Sequence, residues 1–402
     1  MLSGAFLCEK CENVLASPAN MMRDVLHRGQ VFRITVLSRL RKLLILENSG
    51  RPPTLVDVAK LAGVSRATAS RALAGYGRIS KDTVELVQQA AARLGYRPNE
   101  VARAMRAGTT KTIGLVIISD FTNAFFDRAT KAIIDAAKKA GYQTVVSHTD
   151  ENIENEKQAI KTLIEKRVDG LILVPSSDVD HEHLNRKNLG STPLVLIDRK
   201  LSGLPFASIT TGDYEGAIEA VEYAHNQGHT DMGFIVAVPQ LAGSTQVKPR
   251  IPISTVEDRT SGFEKAIKRL KIKSTMLFCE DSQEGAEAAV EKMLQSSSRP
   301  SILFTSNNDM LLAVLRVAGG LGLKIGSDLS VISFDDSPWA AAMSPAITVI
   351  ARPVDELGRK TVDLLMQEIG SAPRGESLVL PTTLIIRDSV SDLTETLSTA
   401  KT

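Results

Sequence analysis

Hydrophobic residues recur along the chain at two different spacings, and the change comes near residue 112. Between residues 54 and 94 they recur every three or four positions, as in helices that bury one face. Beyond residue 112, short apolar runs alternate with helical patterns, which is typical of parallel strands joined by helices. These runs lie at 113–118, 144–146, 170–174, 194–197, 232–236, 276–278, 301–304 and 331–334. We therefore predict a small all-α head and an α/β core of two doubly wound parallel-sheet subdomains.

Capping residues divide the head into three helices. Thr54, with Asp57 three positions later, predicts the start of the first helix, and Gly63 predicts its end. Ser65 and Ser80 predict the starts of the second and third helices. Helix, short turn and helix together form a helix-turn-helix, whose second helix enters the major groove of DNA with its first turn.

The distribution of charge supports DNA as the partner of this head. The formal net charge is only +2. Residues 51–111, however, contain 11 basic and 4 acidic residues, a net charge of +7, which is the expected footprint of a polyanion-binding module. A solvated helical bundle could also be basic, so charge alone leaves both readings open.

The exposed face of the second helix carries the predicted base-reading residues Arg66, Ala67 and Arg71. An arginine can hold guanine O6 and N7 together, whereas an alanine offers only a methyl group to thymine. Hydroxyl side chains at the helix starts are suited to phosphate contacts. The remaining predicted DNA-binding positions in the head are Thr54, Ser65, Thr68, Ser70 and Ser80.

The three cysteines exclude a disulfide framework and favour a reducing compartment. Cys8 and Cys11 form a Cys-x-x-Cys without a second pair, so we predict neither a metal nor a cofactor. The sequence shows no apolar run long enough for a bilayer and no secretory signal pattern at its start. A cytoplasmic, nucleoid-associated protein with no membrane partner is therefore expected.

The segment TLVDVAKLAGVSRATASRAL, which begins at Thr54, resembles the amino-terminal signature of the lactose-repressor (LacI/GalR) family. The resemblance continues through LGYRPNEVARAM from Leu94, IGLV from Ile113, Arg259-x-x-Gly-Phe and SFDD from Ser333. It implies a helix-turn-helix domain at 53–98, a hinge helix and linker at 99–111, and an effector-binding and dimerisation core at 112–387. The core is expected to be similar to periplasmic binding proteins, with subdomains at about 112–211 and 212–336 and later segments that cross between them.

Two terminal segments lie outside this resemblance. Residues 388–402 are expected to be a tail. Residues 1–50 are predicted to be an extension, either a disordered tail or sequence upstream of a start codon assigned too early, and to be dispensable for operator binding.

The resemblance also assigns the hinge a role at the centre of the operator. In the family, a hinge helix folds when two copies meet in the minor groove. Met105 stands where the family usually has a leucine that wedges apart a base step, and methionine keeps this wedge apolar. An ordinary flexible linker is the alternative. The hinge positions predicted to contact DNA are Asn99, Ala102, Arg103, Met105 and Arg106.

Effector-contacting positions carry over from the same resemblance, and each follows an apolar run or opens a helix. They are Asp120, Asn123, Phe125, Phe126, Asp198, Arg199, Arg259, Asn307, Asn308, Asp335 and Arg352. Carboxylates and amides suit sugar hydroxyls, and an aromatic ring suits the C–H face of a sugar. Three of these residues are arginines, which we expect to face two of the aspartates and to leave one positive charge for a ligand carboxylate. A monosaccharide or a sugar acid is therefore predicted, rather than a purine.

We interpret the chain as a sequence-specific transcription regulator, a repressor of carbohydrate-utilisation genes whose operator affinity is set allosterically by the effector. A homodimer is expected, and tetramer formation is left open. A solute-binding protein of a sugar transporter would need a signal peptide and would not use a helix-turn-helix. An enzyme would need a catalytic motif, and the sequence has no phosphate loop, nucleophile elbow or His-Glu-x-x-His.

Overall fold

The computed structural model describes residues 51–97, 108–118, 123–178, 180–201, 203–238, 253–370 and 375–394. The chain divides at residue 103 into two compact units, which are described separately below. The predicted extension at 1–50 and most of the predicted hinge lie outside the described residues. No described helix is long and apolar enough to cross a membrane.

The first unit contains three helices at the predicted places. They are α1 (Leu55–Ala62), α2 (Arg66–Ala74) and α3 (Lys81–Leu94). The backbone N–H and the hydroxyl of Thr54 both donate to the Asp57 carboxylate, at 3.0 and 2.7 Å, which confirms the predicted start of α1. Gly63 ends α1 with a φ of 70°, a left-handed conformation that glycine adopts without strain. Ser65 and Ser80 cap the next two helices as expected.

A small apolar core holds the three helices together. Val58, Ala69 and Val87, one from each helix, are fully buried. Alanines at Ala72 and Ala91 let the helices approach closely around them. Apolar burial of this kind is the main force that stabilises so short a bundle, because helices of this length are marginal on their own.

The second unit begins with a six-stranded sheet in the order β11-β5-β4-β3-β1-β2. Its strands are β1 (Thr112–Ile117), β2 (Gln143–His148), β3 (Gly170–Leu173), β4 (Leu194–Ile197), β5 (Ala207–Thr211) and β11 (Ser377–Leu380). The helices of this subdomain are α4 (Ala124–Lys139), α5 (Ile153–Glu165), α6 (Arg186–Leu189) and α12 (Val354–Glu368). All pairings in this sheet are parallel.

The other sheet has six strands in the order β12-β10-β9-β8-β6-β7. Its strands are β6 (Asp231–Val238), β7 (Lys273–Glu280), β8 (Ile302–Thr305), β9 (Ser330–Phe334), β10 (Thr348–Ala351) and β12 (Thr383–Ile385). Its helices are α7 (Asp213–Asn226), α8 (Ser254–Leu270), α9 (Gln283–Leu294), α10 (Asn308–Gly320) and α11 (Pro338–Ala342). Only β12 runs antiparallel to its neighbour among the pairings described for this sheet.

The chain passes from one sheet to the other after β5, after β10 and after β11. The helix that follows β10 therefore packs on the first sheet, where Leu357 and Leu365 join its core. These crossings bring the carboxyl ends of both sets of parallel strands to one cleft, the usual place for a ligand in such sheets.

Each of the eight apolar runs predicted as strands coincides with a strand, and three of them (113–118, 170–174 and 301–304) extend one residue beyond it, which confirms the α/β interpretation. Strands β5, β10, β11 and β12 were not predicted. The sequence of β5 is Ala-Ser-Ile-Thr-Thr, and three of the four residues of β11 are exposed, so neither shows a continuous apolar signal. Helix α11 and strands β10 and β12 complete the second subdomain beyond its predicted end at residue 336. The described part of the predicted tail also packs there, since Ser389 is fully buried and its carbonyl accepts the N–H of Val331, so the expectation of a free tail from residue 388 is corrected.

Candidate functional site

One exposed face of α2 presents the residues predicted to read bases. Arg66, Ala67 and Arg71 are exposed, whereas Ala69 on the opposite face is fully buried. The Nε of Arg71 donates to the carbonyl oxygen of Ala67 at 3.4 Å, which leaves its terminal nitrogens pointing beyond the helix. Two guanidinium groups and a methyl group therefore share one exposed helical face.

The predicted phosphate-binding hydroxyls all lie at helix starts. Ser65 Oγ accepts the backbone N–H of Thr68 at 3.0 Å and lies 2.8 Å from the Thr68 hydroxyl. Ser80 caps α3 in the same way through Thr83. The Thr54 hydroxyl donates to Asp57, and this hydrogen bond is the largest cause of the lowered pKa of the Asp57 carboxyl. The caps fix the amino ends of the helices, whose free N–H groups favour anions.

Six predicted contact residues cannot be placed. Asn99, Ala102, Arg103, Met105 and Arg106 of the hinge, and Asp120 of the core, lie outside the described residues. Ser70 is half-buried on α2, beside the exposed face.

Arg352 lies at the centre of the cleft and joins the two subdomains. Its Nε and Nη2 donate to the two oxygens of Asp335, at 2.6 and 3.0 Å. Its Nη1 donates to Asp198 at 2.5 Å. The three side chains are nearly inaccessible to solvent, with 3–7% exposed. Burial raises the pKa of Asp198, opposed by the nearby arginines, and the two aspartates raise the pKa of Arg352.

The other two predicted arginines are also paired with carboxylates. The Nε of Arg259 donates to Asp213 at 2.7 Å, and its Nη1 donates to the Ser306 carbonyl at 2.5 Å. Arg199 donates to Glu151 and to the Pro175 carbonyl, the latter at 3.0 Å. The prediction of a positive charge left over for a ligand carboxylate is therefore wrong. Asp213 and Glu151, which supply the additional negative charge, were not among the predicted site residues.

The two predicted aromatic residues have different places. Phe125 is 3% exposed, belongs to the core of the first subdomain, and lies under the Arg352 guanidinium, whose carbon is 3.4 Å from the ring centroid. It is therefore covered by protein, which corrects the expectation that it stacks on a ligand. Phe126 is half-buried, packs edge-on against Phe125 and lines the cleft. Asn123 caps α4 and also lines the cleft.

The predicted amides at the start of α10 also differ from each other. Asn307 caps the helix, accepting the N–H of Met310 at 2.9 Å, and its side chain hydrogen-bonds to Asp281. It lines the inner part of the cleft. Asn308 is 7% exposed, does not line the cavities described below, and its Oδ1 has no hydrogen-bond partner among the described residues.

The cleft has a narrow inner part and a wide outer part. The inner cavity, about 70 Å³, is lined by Asp198, Arg199, Arg259, Asp335 and Arg352, among others. The outer cavity, about 770 Å³, contains several acidic residues that sequence reasoning missed. These are Asp150, Glu151, Glu280, Asp281 and Asp309. The described residues that line the two cavities include seven acidic residues and four arginines, so an anionic ligand would meet net negative charge.

Two of the outer carboxyl groups titrate abnormally. Removal from solvent, and then the charges of Glu151 and Asp309, raise the pKa of Asp281 to about 6. Burial and the charge of Asp335 raise the pKa of Asp309, which is opposed by a hydrogen bond from Asn123. The sequence did contain a signal for two of the missed acidic residues. Glu151 comes after the carboxyl end of β2 and Asp281 after that of β7, and both strands are edge strands.

This arrangement can bind a polar ligand through carboxylate acceptors, amide groups and one aromatic face. Within the described residues there is no group of three or more His, Cys, Asp or Glu side chains placed to hold a metal ion. Cys8 and Cys11 lie outside those residues.

Comparisons with known proteins connect both sites to regulators of transcription. The pattern described as "Bacterial regulatory proteins, lacI family" matches residues 54–99, and the pattern described as "Periplasmic binding protein-like domain" matches residues 221–390. The ribose operon repressor of Halalkalibacterium halodurans is 30% identical over 338 residues, 84% of this chain and 96% of that protein. The transcriptional repressor PurR of Aliivibrio salmonicida is 30% identical over 320 residues, 79% of this chain and 92% of that protein.

The same relationship is seen in three dimensions. The crystal structure of the Lac repressor dimer bound to operator and the anti-inducer ONPF is similar, with a TM-score of 0.73 and 27% sequence identity. The match covers 85% of this chain and 100% of the Lac repressor chain.

Proposed function

The chain belongs to the lacI family of bacterial regulatory proteins, and we propose that it represses carbohydrate-utilisation genes as a dimer whose operator affinity is set by a sugar in the cleft. The observation that carries the proposal is the exposed face of α2, with Arg66 and Ala67 in the first turn and Arg71 in the last. Operator binding requires access to the chromosome, so we infer a cytoplasmic location.

The geometry of the head supports reading of bases in the major groove. The first turn of α2 is capped by Ser65 and carries no acidic residue that would repel phosphates. A guanidinium group can make two parallel hydrogen bonds to one guanine, which discriminates against other bases by about 1–3 kcal/mol. We propose that Arg66 and Arg71 act in this way, and that the hydroxyl caps hold the register on the phosphates.

A dimer is proposed because one recognition helix buries too little surface for tight binding. The Lac repressor, similar over its whole length, was solved as a dimer on operator DNA. Two related heads would read mirrored half-sites of a near-palindromic operator. Footprinting should therefore show two symmetric half-sites, and protection of a single half-site by a monomer would refute the dimer.

The cleft is the proposed effector site, and its wide outer part offers Asn123, Phe126 and the neighbouring carboxylates. Arg259 and Asn307 line its inner part, and Asn123 and Phe126 line both parts. Carboxylate and amide groups beside one aromatic ring suit a polyhydroxy ring. The two curated relatives are named as repressors, and we infer that this chain binds its ligand without transforming it.

The experiment that tests the function is a mobility-shift assay on DNA from upstream of the gene, with Arg66→Ala as the diagnostic variant. Removing Arg66 should weaken binding by about 1–3 kcal/mol per contact and relax specificity at one symmetric pair of positions. Arg93→Ala is the matched control, because Arg93 is an exposed arginine on α3. It loses the same charge but should keep the wild-type preference at every base.

The result that contradicts the proposal is equally specific. If Arg66→Ala keeps the wild-type preference at every operator position, α2 does not read bases. Repeating the assay with a panel of sugars shows whether the effector releases DNA or promotes its binding.

A further inference from the structure

The inner end of the cleft is already occupied by the protein's own charged groups. Asp198 follows β4 and Asp335 follows β9. Each of these strands is the third in the order given for its sheet, so the two aspartates hold equivalent positions in the two subdomains. Both aspartates have left-handed backbones, with φ of 68° and 71°. Each donates its backbone N–H to the adjacent strand, Asp198 to Ile209 and Asp335 to Ile350. The two carboxylates are thus presented to one point between the subdomains.

Arg352 fills that point. Its guanidinium donates N–H groups to both carboxylates, and one of its flat faces covers the Phe125 ring. The donor edge and that face are therefore both in contact with the protein. The space left around it, about 70 Å³, holds only a few water molecules. A sugar-sized ligand needs a site of roughly 300 Å³ or more. The outer cavity, at about 770 Å³, meets that requirement.

Among the residues that the structure describes, Arg316 is the one arginine that lines the outer cavity. Arg316 pairs with Glu287 at 3.3 Å, outside the cavity lining. Arg199, which lines the inner part, is held by Glu151 and the Pro175 carbonyl. The outer cavity instead gathers the carboxylates of Asp150, Glu151, Glu280, Asp281 and Asp309. Besides burial, the charges of Glu151 and Asp309 raise the pKa of Asp281, and the charge of Asp335 raises the pKa of Asp309. An occupant that brings hydrogen-bond donors, or a positive charge, relieves that repulsion, whereas a carboxylate increases it.

We propose that Arg352 is a permanent counter-ion for Asp198 and Asp335, and that the effector therefore binds in the outer cavity through donors that face Glu151, Asp281 and Asp309. Such a site selects a polyhydroxy ligand without negative charge, either a neutral sugar or an amino sugar. This inference rests on the proposed effector-binding function and excludes sugar acids, the alternative left open by the sequence.

The test is calorimetry on the full chain at pH 7.5 with matched sugar trios. Each trio contains a neutral hexose, its 2-amino derivative and its uronic acid, for the gluco, galacto and manno configurations. In any trio that binds, the neutral or aminated member should bind at least about tenfold more tightly than the uronic acid. A tenfold ratio corresponds to about 1.4 kcal/mol, which is within the range of one additional repulsion between a ligand carboxylate and the acidic lining.

Two substitutions locate the selectivity. Asp281→Asn removes a carboxylate from the outer cavity, and Glu151→Gln also frees Arg199 for a ligand anion. Both should narrow the discrimination against uronic acids by about threefold to tenfold, with the larger effect for Glu151→Gln. Glu154→Gln is the matched control, because Glu154 is an exposed neighbour that pairs with Lys157 at 2.8 Å outside the cavity. It should leave the discrimination unchanged.

Each remaining outcome overturns the proposal. Tightest binding of a uronic acid in any trio would show that the cleft accepts negative charge. Absence of binding by every neutral and aminated member at about 1 mM would show that the ligand lies outside this class. Unchanged discrimination in both Asp281→Asn and Glu151→Gln would place the ligand elsewhere. A mobility shift on the same preparation tests DNA binding separately, so failure of the proposed function would be recognised by itself.

Discussion

The two parts of the cleft differ in whether their charged side chains are paired with groups of opposite charge. At the inner end, Arg352 meets Asp198 and Asp335, and each of these buried charges has a partner of opposite sign. In the outer cavity, burial first and then nearby like charges raise the pKa of Asp281 and of Asp309, and no basic side chain pairs with either carboxyl among the described residues. A buried charge must be paired, because desolvation is otherwise too unfavourable, whereas a group in contact with cleft water can remain unpaired. The inner charges therefore depend on one another, and the outer charges remain available to a ligand.

The sharpest way to break this comparison is Arg352→Gln. The variant leaves Asp198 and Asp335 buried without their counter-ion, so the core should lose about 3–5 kcal/mol of its free energy of unfolding. Urea denaturation of the core transition measures this change. Arg316→Gln is the control, because its exposed pair with Glu287 should contribute less than about 1 kcal/mol.

A further variant separates the pairing of charge from simple packing. Adding Asp198→Asn and Asp335→Asn to Arg352→Gln removes all three charges and should restore most of the lost stability. If Arg352→Gln alone unfolds within about 1 kcal/mol of the wild type, the inner charges do not depend on one another in the way the buried geometry indicates.

The two adjacent phenylalanines allow the same comparison without charge. Phe125 is buried beneath Arg352, so Phe125→Ala should destabilise the core by about 3–5 kcal/mol. Phe126 is only half-buried at the cavity wall, and Phe126→Ala should lose less than half as much while weakening sugar binding. Equal losses of stability in the two variants, by thermal or urea unfolding, would remove the distinction between the inner and outer parts.

Much of this site follows from the sequence through one physical rule. Parallel strands end at one edge of a sheet, so Asp198 and Asp335 could be predicted to lie at the cleft because each follows a predicted strand, whereas Arg352 follows the unpredicted β10 and was assigned through the resemblance. Their pairing could not be predicted. Which carboxylate each arginine meets depends on the crossing segments, and β10, which places Arg352, has only four residues. The predicted surplus of positive charge therefore failed, although the residues were brought together.

The outer carboxylates were missed for a related reason. The apolar runs of the edge strands β2 and β7 were predicted, but Glu151 and Asp281, which follow these strands, are not among the positions carried over from the resemblance. In the head, by contrast, the starts of all three helices and the end of α1 were predicted correctly. Caps are local contacts between residues three positions apart, such as Thr54 with Asp57, so the sequence alone contains them.

The smallest expected effect concerns the dependence of stability on pH. The folded-state pKa of Asp281 is raised to about 6, above its ordinary value of 3.8, so the folded chain takes up this proton before the unfolded chain does. Asp281 thus opposes folding at pH 7.5, and this opposition declines as the pH falls from about 6 to 3.8. Asp281→Asn should therefore be more stable than the wild type at pH 7.5, by up to about 1 kcal/mol after allowance for screening by cleft water. The difference in stability between the two proteins should shrink as the pH falls below 6.

The wild-type curve alone does not isolate this contribution, because His229 acts in the opposite direction. Burial lowers the pKa of His229 to about 4, so the unfolded chain binds that proton first and acid weakens the fold below pH 6.5. His229 is present in both proteins, and its contribution cancels when the unfolding free energy of the wild type is subtracted from that of Asp281→Asn at each pH. A difference that stays constant between pH 7.5 and 5 would mean that Asp281 does not titrate near 6. The outer carboxylates would then not repel one another strongly, and the contrast with the paired charges around Arg352 would be smaller than the geometry indicates.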